Sequence, residues 1–154
     1  MLEKGSMYID FELVNTKLEK VKLSSLIGQK IVLVFYPGAF TSVCEKELCS
    51  FRDMMAKFNN LNAKVFGISV DSPFANKAFA EKNRLNFDLL SDFGGIVSRK
   101  YGGVHENFVG IKNYTVSKRA VYIIDEEGKI IYSWVSDDPG KEPSYNEVEE
   151  VIAK

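Results

Sequence analysis

Two kinds of hydrophobic pattern alternate along the chain. Residues 31–36 read IVLVFY and residues 63–70 read AKVFGISV, nearly continuous apolar runs rich in β-branched and aromatic side chains. Such runs predict buried strands covered on both faces. Between them, Val43, Leu48, Phe51, Met54, Met55 and Phe58 recur mostly at three- and four-residue steps. That spacing predicts a helix over residues 42–58 with one apolar stripe. Ser42 and Glu45 match an S-x-x-E capping box, and Thr41 is the competing cap. Asp71-Ser72-Pro73 gives a second helix start, with proline near the first helical position, and residues 74–84 read as an amphipathic helix.

Shorter elements fill the remainder. Residues 8–13 and 18–23 read as two strands around an Asn15-Thr16 turn. Residues 87–90 predict a short strand, and residues 93–101 a short helix closed by Gly102-Gly103. Residues 120–124 and 130–135 predict a hairpin around Glu126-Glu127-Gly128. Ser144 and Glu147 form a second S-x-x-E box, opening a C-terminal helix with Val148, Val151 and Ile152 inward. Residues 104–118 are polar and irregular and receive no assignment. The order β-β-β-α-β-α-β-α-β-β-α implies an α/β protein: strand-helix-strand units give a parallel portion, and the late hairpin an antiparallel one. Neither an internal repeat nor a linker divides residues 1–154, so one domain is expected.

Charge and composition narrow the function. A net charge of −1 lacks the basic surplus of nucleic-acid binders. No apolar run approaches the ~20 residues of a membrane span. The opening MLEKGSMYID has no apolar signal core, and a cytoplasmic protein is expected. The two cysteines are too few for a secreted disulfide framework. In a reducing compartment such a pair is more often catalytic, redox-active or metal-binding than structural. One histidine and a C-x4-C spacing without a second pair argue against a metal site, and no cofactor is expected.

Both cysteines, Cys44 and Cys49, fall in residues 35–53, FYPGAFTSVCEKELCSFRD. A cysteine attacks as its thiolate, whose free pKa is near ~8.5. Cys44 lies two or three residues inside the predicted helix start, where unpaired N–H groups and the helix dipole favour an anion. A cation is available from Arg119, just before the apolar run AVYIID, at the kind of strand end where active-site groups collect. Cys49 lies five residues after Cys44. In a helix that separation puts the Cα atoms roughly 8–9 Å apart, beyond the ~7 Å limit of a disulfide. A bond between the two therefore requires the first turns to unwind, which predicts a two-state site. Free cysteines also serve as small buried fillers, a reading that fits Cys49 taken alone.

Pro37-x-x-x-Thr41-x-x-Cys44 resembles the active-site pattern of the peroxiredoxins, and CEKELCSFRD resembles their bacterioferritin-comigratory-protein or peroxiredoxin-Q branch. The resemblance extends to Asp71-Ser72-Pro73 and to Arg119 before AVYIID. It implies a thioredoxin-like fold, a mixed central sheet flanked by helices with an extra N-terminal β-hairpin. It also implies that Cys44 reduces hydrogen peroxide or an organic hydroperoxide and becomes a sulfenic acid. Cys49 would resolve that acid as an intramolecular disulfide, and a thioredoxin-like or other dithiol reductant would recycle it. Thr41 would donate a hydroxyl proton to the peroxide or the thiolate, Arg119 would supply a fixed cation, Pro37 would shield the sulfur from water, and Glu47 would hold an arginine in place. The branch implies a monomer or weak homodimer. A one-cysteine peroxidase with an external resolving thiol, and a redox sensor or binding module that does not turn over, remain alternatives on the same fold.

Overall fold

The computed structural model describes residues 1–154. In chain order the elements are β1 (Glu12–Val14), β2 (Lys20–Lys22), β3 (Lys30–Phe35), α1 (Ser42–Asn60), β4 (Ala63–Ser69), α2 (Pro73–Asn83), β5 (Asp88–Ser91), α3 (Ile96–Lys100), β6 (Val104–His105), β7 (Val116–Ser117), β8 (Arg119–Ile124), β9 (Ile130–Ser136) and α4 (Tyr145–Ala153). Seven strands form one mixed sheet in the order β2-β1-β5-β4-β3-β8-β9, while β6 and β7 pair apart from it. β3 runs parallel to β4 and antiparallel to β8, with Phe35 opposite both Ile68 and Ala120. The expected mixed sheet with flanking helices and an N-terminal hairpin is therefore present.

The continuous apolar run in β3 has the predicted cause. Val32, Val34 and the following Tyr36 pack on one face with Leu48, Phe51 and Phe58 of α1, Phe79 of α2, and Val148 and Ile152 of α4. Ile31, Leu33 and Phe35 pack on the other with Phe11, Leu23, Tyr101 and Val97 of α3. Both faces are dry, so the strand shows no polar alternation.

Several elements differ from the sequence expectation. The first two strands are only three residues each. Residues 8–10 bond elsewhere: the Tyr8 N–H donates to the Gly128 carbonyl, the Tyr101 hydroxyl donates to the Ile9 carbonyl, and Asp10 Oδ1 accepts from the Ser24 N–H at 2.8 Å. The Ser42–Glu45 capping box is absent. Thr41 is the N-cap of α1, with φ −86° and ψ 144°, and Glu45 reaches Lys82 of α2 instead. The later starts hold: Ser72 caps α2 by accepting from the Ala75 N–H, and Ser144 caps α4 by accepting from the Glu147 N–H. Residues 104–118 contain the two-residue strands β6 and β7, too short to show a period in sequence.

Gly67 in β4 lies between Val34 of β3 and Leu89 of β5. A Cβ there would stand 2.6 Å from Leu89 Cδ2 and 3.3 Å from Tyr36 Cε1. Its absence lets the Tyr36 ring lie close against the sheet where the chain turns toward α1. Gly67→Ala is therefore expected to destabilise the protein by about 1–3 kcal/mol, the usual overpacking penalty. Urea unfolding with an unchanged midpoint would contradict this account.

Candidate active site

The chain leaves β3 through Tyr36, Pro37 and Gly38, all buried, and reaches α1 across Ala39, Phe40 and Thr41. Asp71 fixes this loop: its Oδ2 accepts from the Ala39 N–H at 2.7 Å and from the Ser69 hydroxyl at 2.8 Å. Phe40 sits at φ +64°, a left-handed conformation that is uncommon for an aromatic residue. Side-chain contacts hold it there. Its ring meets Phe79 edge-on at 5.3 Å, and Lys82 Nζ lies 5.6 Å from the ring centroid.

Cys44 is the third residue of α1 and has no exposed surface. The Thr41 hydroxyl donates to the Gly38 carbonyl at 3.0 Å and does not cap the helix. The first-turn N–H groups beside Cys44 therefore have no side-chain acceptor, which leaves the positive end of the helix dipole uncovered. The expected Thr41 donation to sulfur or peroxide is not the bond made here. From its extended N-cap backbone the hydroxyl folds back three residues to a nearer acceptor.

Arg119, the first residue of β8, lies 75 positions from Cys44 in sequence and supplies the cation. Its Nη2 donates to Cys44 Sγ at 3.1 Å and its Nη1 to Glu47 Oε1 at 2.8 Å. The Pro139 carbonyl accepts from Nε at 3.1 Å and from Nη2 at 2.8 Å. Arg119 is 1% exposed and Glu47 fully buried, so the guanidinium is held on three sides with little water. Burial opposes its charge, but Glu47 and Cys44 outweigh that opposition, and its pKa rises above the ordinary value. Burial pushes the Glu47 carboxyl up to about 7, with Arg119 pulling in the other direction. Glu47 Oε2 has no hydrogen-bond partner, in keeping with a carboxyl that takes up a proton readily.

Cys49 is half-buried further along the same unbroken helix, and both cysteines are free thiols. The structure thus brings Cys44, Glu47 and Arg119 into direct contact, puts Pro37 and Thr41 in the loop beside them, and leaves Cys49 apart. Glu47 faces inward and is fully buried against Arg119. Sequence reasoning missed Asp71 as a loop anchor because its Asp-Ser-Pro setting reads as a helix start. It missed Pro139 because a backbone carbonyl leaves no trace in residue type.

Comparison with known proteins identifies the family. The model of the AhpC/TSA family matches residues 5–133. A wheat (Triticum aestivum) protein named peroxiredoxin Q, chloroplastic, is 40% identical over 131 residues, covering 85% of this chain and 58% of the relative. The chain thus spans less than two thirds of that relative's length. A Coxiella burnetii protein named as a bcp peroxiredoxin is 39% identical over 134 residues, 86% of this chain and 88% of the relative. The crystal structure of peroxidoxin BcpB from Mycobacterium tuberculosis superposes with a TM-score of 0.85 at 31% identity, covering 99% of this chain and 97% of that one. The shared fold is the thioredoxin-like one of these proteins.

The raised Glu47 carboxyl has a consequence for stability. Its folded pKa, about 7, exceeds its ordinary value of 4.5, so the native state holds the proton more tightly than the unfolded chain. The stability this brings is complete below the unfolded value and is lost as pH rises through the folded one. Glu47→Gln keeps an acceptor for Arg119 and removes the titration. Between these two pH values, the urea midpoint of the wild type is expected to fall relative to that of the variant. Parallel pH profiles would contradict the assignment.

Proposed function

The chain belongs to the AhpC/TSA family of peroxiredoxins, and on that premise we propose that it is a thiol peroxidase in which Cys44 is the nucleophile and Cys49 the resolving thiol. One observation carries the reading: the buried Arg119 guanidinium bonds the Cys44 sulfur and the Glu47 carboxylate together. A fixed cation beside a thiol at a helix start suits attack on a neutral hydroperoxide, in which negative charge moves from sulfur to the leaving oxygen.

In the first step the Cys44 thiolate attacks one peroxide oxygen. The S–O bond forms as the O–O bond breaks, and the departing hydroxide or alkoxide takes a proton to leave as water or an alcohol. Sulfur is oxidised to the sulfenic acid and the peroxide is reduced. Arg119 has donors on the side of the sulfur and can follow the charge onto the leaving oxygen. The Thr41 hydroxyl would exchange Gly38 for the peroxide in this step. Pro37, buried and without an N–H, keeps the loop from offering the sulfur a competing donor.

In the second step the Cys49 sulfur attacks the Cys44 sulfur, the S–O bond breaks, and hydroxide leaves as water once protonated. Two thiols and one peroxide thus give a disulfide, one water and one further water or alcohol. Both cysteines lie in one unbroken helix, so this step requires its first turns to open. A thioredoxin-like dithiol would restore the thiols by exchange. The proposal includes a cytoplasmic setting, supported by the cysteine usage alone, and a monomer or weak homodimer, supported by the likeness to the peroxiredoxin-Q branch.

The test is a free-thiol count and intact mass after one equivalent of hydrogen peroxide. The wild type is expected to lose both thiols and two mass units, and Cys49→Ser to stop at a sulfenic acid on Cys44. A wild-type sulfenic acid with Cys49 still free would favour the one-cysteine cycle. Unreacted cysteines would remove the peroxidase reading. Arg119→Met is expected to slow Cys44 oxidation by about 10²- to 10³-fold, as for removal of one charge-stabilising donor. A smaller loss than tenfold would show that the arginine serves the fold more than the reaction.

A further inference from the structure

The segment that must open between the two thiols is tied down by the end of another helix. Residues 45–52 of α1 make four polar contacts with residues 82–86, at and just past the C-terminus of α2. Two of them converge on Asn83, the last residue of α2. Its Nδ2 donates to the Phe79 carbonyl in its own helix at 3.1 Å. That bond fixes the amide so that Oδ1 is the end turned to α1, where it accepts from the Cys49 thiol at 3.6 Å. Its backbone carbonyl accepts from Arg52 Nη1 at 2.7 Å. Asn86 Nδ2 donates to the Arg52 carbonyl at 3.4 Å, and Lys82 pairs with Glu45 at 2.8 Å.

We infer that Asn83, together with Arg52, is a latch that holds Cys49 and the first turns of α1 in helical form, and that its release sets the pace of disulfide formation. The inference rests on the peroxidase reading for its chemical consequence, but the latch itself is a property of the reduced protein. Three features carry it. The contacts fall within and next to the stretch bounded by Cys44 and Cys49, the only part of α1 that a disulfide forces to unwind. Asn83 and Cys49 are both half-buried, so their bond is shielded more than one on an open surface. A thiol can donate to Asn83 Oδ1 and a thiolate cannot. Loss of the Cys49 proton, which makes it a nucleophile toward the sulfenic sulfur, therefore also removes the bond that holds it on α2.

Asn83 touches no reacting atom of the first step, so it is a positioning residue for the second. Its effect separates the two rates. Asn83→Ala is expected to leave the rate of Cys44 oxidation by hydrogen peroxide as it is in wild type. It is expected to speed the following disulfide formation, read by rapid acid quench and thiol trapping, by about threefold to tenfold, the range for losing one net hydrogen bond. Arg52→Ala should act in the same direction, and Arg52→Lys, which retains a cationic donor, should return part of the way to wild type.

Amide hydrogen exchange of the reduced protein tests the latch without peroxide. Asn83→Ala is expected to raise exchange in peptides covering residues 42–52 while residues 30–35 keep their wild-type protection. Disulfide formation that is unchanged or slower in both Asn83→Ala and Arg52→Ala would overturn the inference, as would a rise in exchange spread evenly over helix and sheet. If Cys44 in the wild type fails to react with peroxide, the peroxidase reading falls, and the exchange measurement alone still decides whether the latch exists.

Discussion

The buried contact of Arg119 with Cys44 and Glu47 ties the molecule together. It joins the first residue of β8 to the first turns of α1, and it can form only if β8 lies beside β3 in the observed register. Ala120 opposite Phe35 sets that register. A one-residue slip would turn Arg119 to the opposite face of the sheet and leave Glu47 buried without a cation. Removing one partner of a buried ion pair costs about 3–5 kcal/mol, so the pairing strongly disfavours misregistered alternatives. The same contact that sets up the chemistry thus selects the fold.

The loop from Tyr36 to Thr41 completes the constraint from the other side. Asp71 follows β4, so its hold on the Ala39 N–H ties the approach to α1 to the neighbouring parallel strand. Phe40 accepts a left-handed backbone because Phe79 and Lys82 of α2 receive its side chain. Two ends of one short loop are therefore fixed by two different elements. The sulfur is placed by the sheet, and the helix that carries it is placed by α2.

Much of this was legible in the sequence, for identifiable reasons. β3, β4 and β8 are long continuous apolar runs, α1 is long enough for its apolar stripe to be unambiguous, and the Ser72-Pro73 start of α2 has its own stereochemistry. Cys44 and Arg119 were legible because each combines a reactive residue type with a telling position. Glu47 was only half legible: the resemblance implied that it holds an arginine, but α1 alone does not display its burial, which the approach of β8 and Arg119 completes. The first N-terminal strand was overextended because residues 8–10 have strand-like composition, but the Tyr8 N–H bonds the Gly128 carbonyl and the Ile9 backbone bonds the Tyr101 hydroxyl. The Ser42–Glu45 box failed because its glutamate found a lysine on another helix, a competitor that local sequence does not display. Asn83 had no signal at all, since an asparagine at a helix end is ordinary until a thiol faces it.

The complete burial of Cys44 bears on how the two half-reactions of the proposed cycle would be kept apart. Cys44 has no exposed surface, so in the helical form a protein thiol or a bulky disulfide is shut out by the packing around the sulfur. In the proposed cycle, opening the first turns of α1 would present the sulfurs to a macromolecule and part Cys44 from Arg119. Oxidant and reductant would thus be sorted by shape and would not compete for one surface. On that proposal, a single helix that folds and unfolds would do the work that two separate compartments would otherwise do.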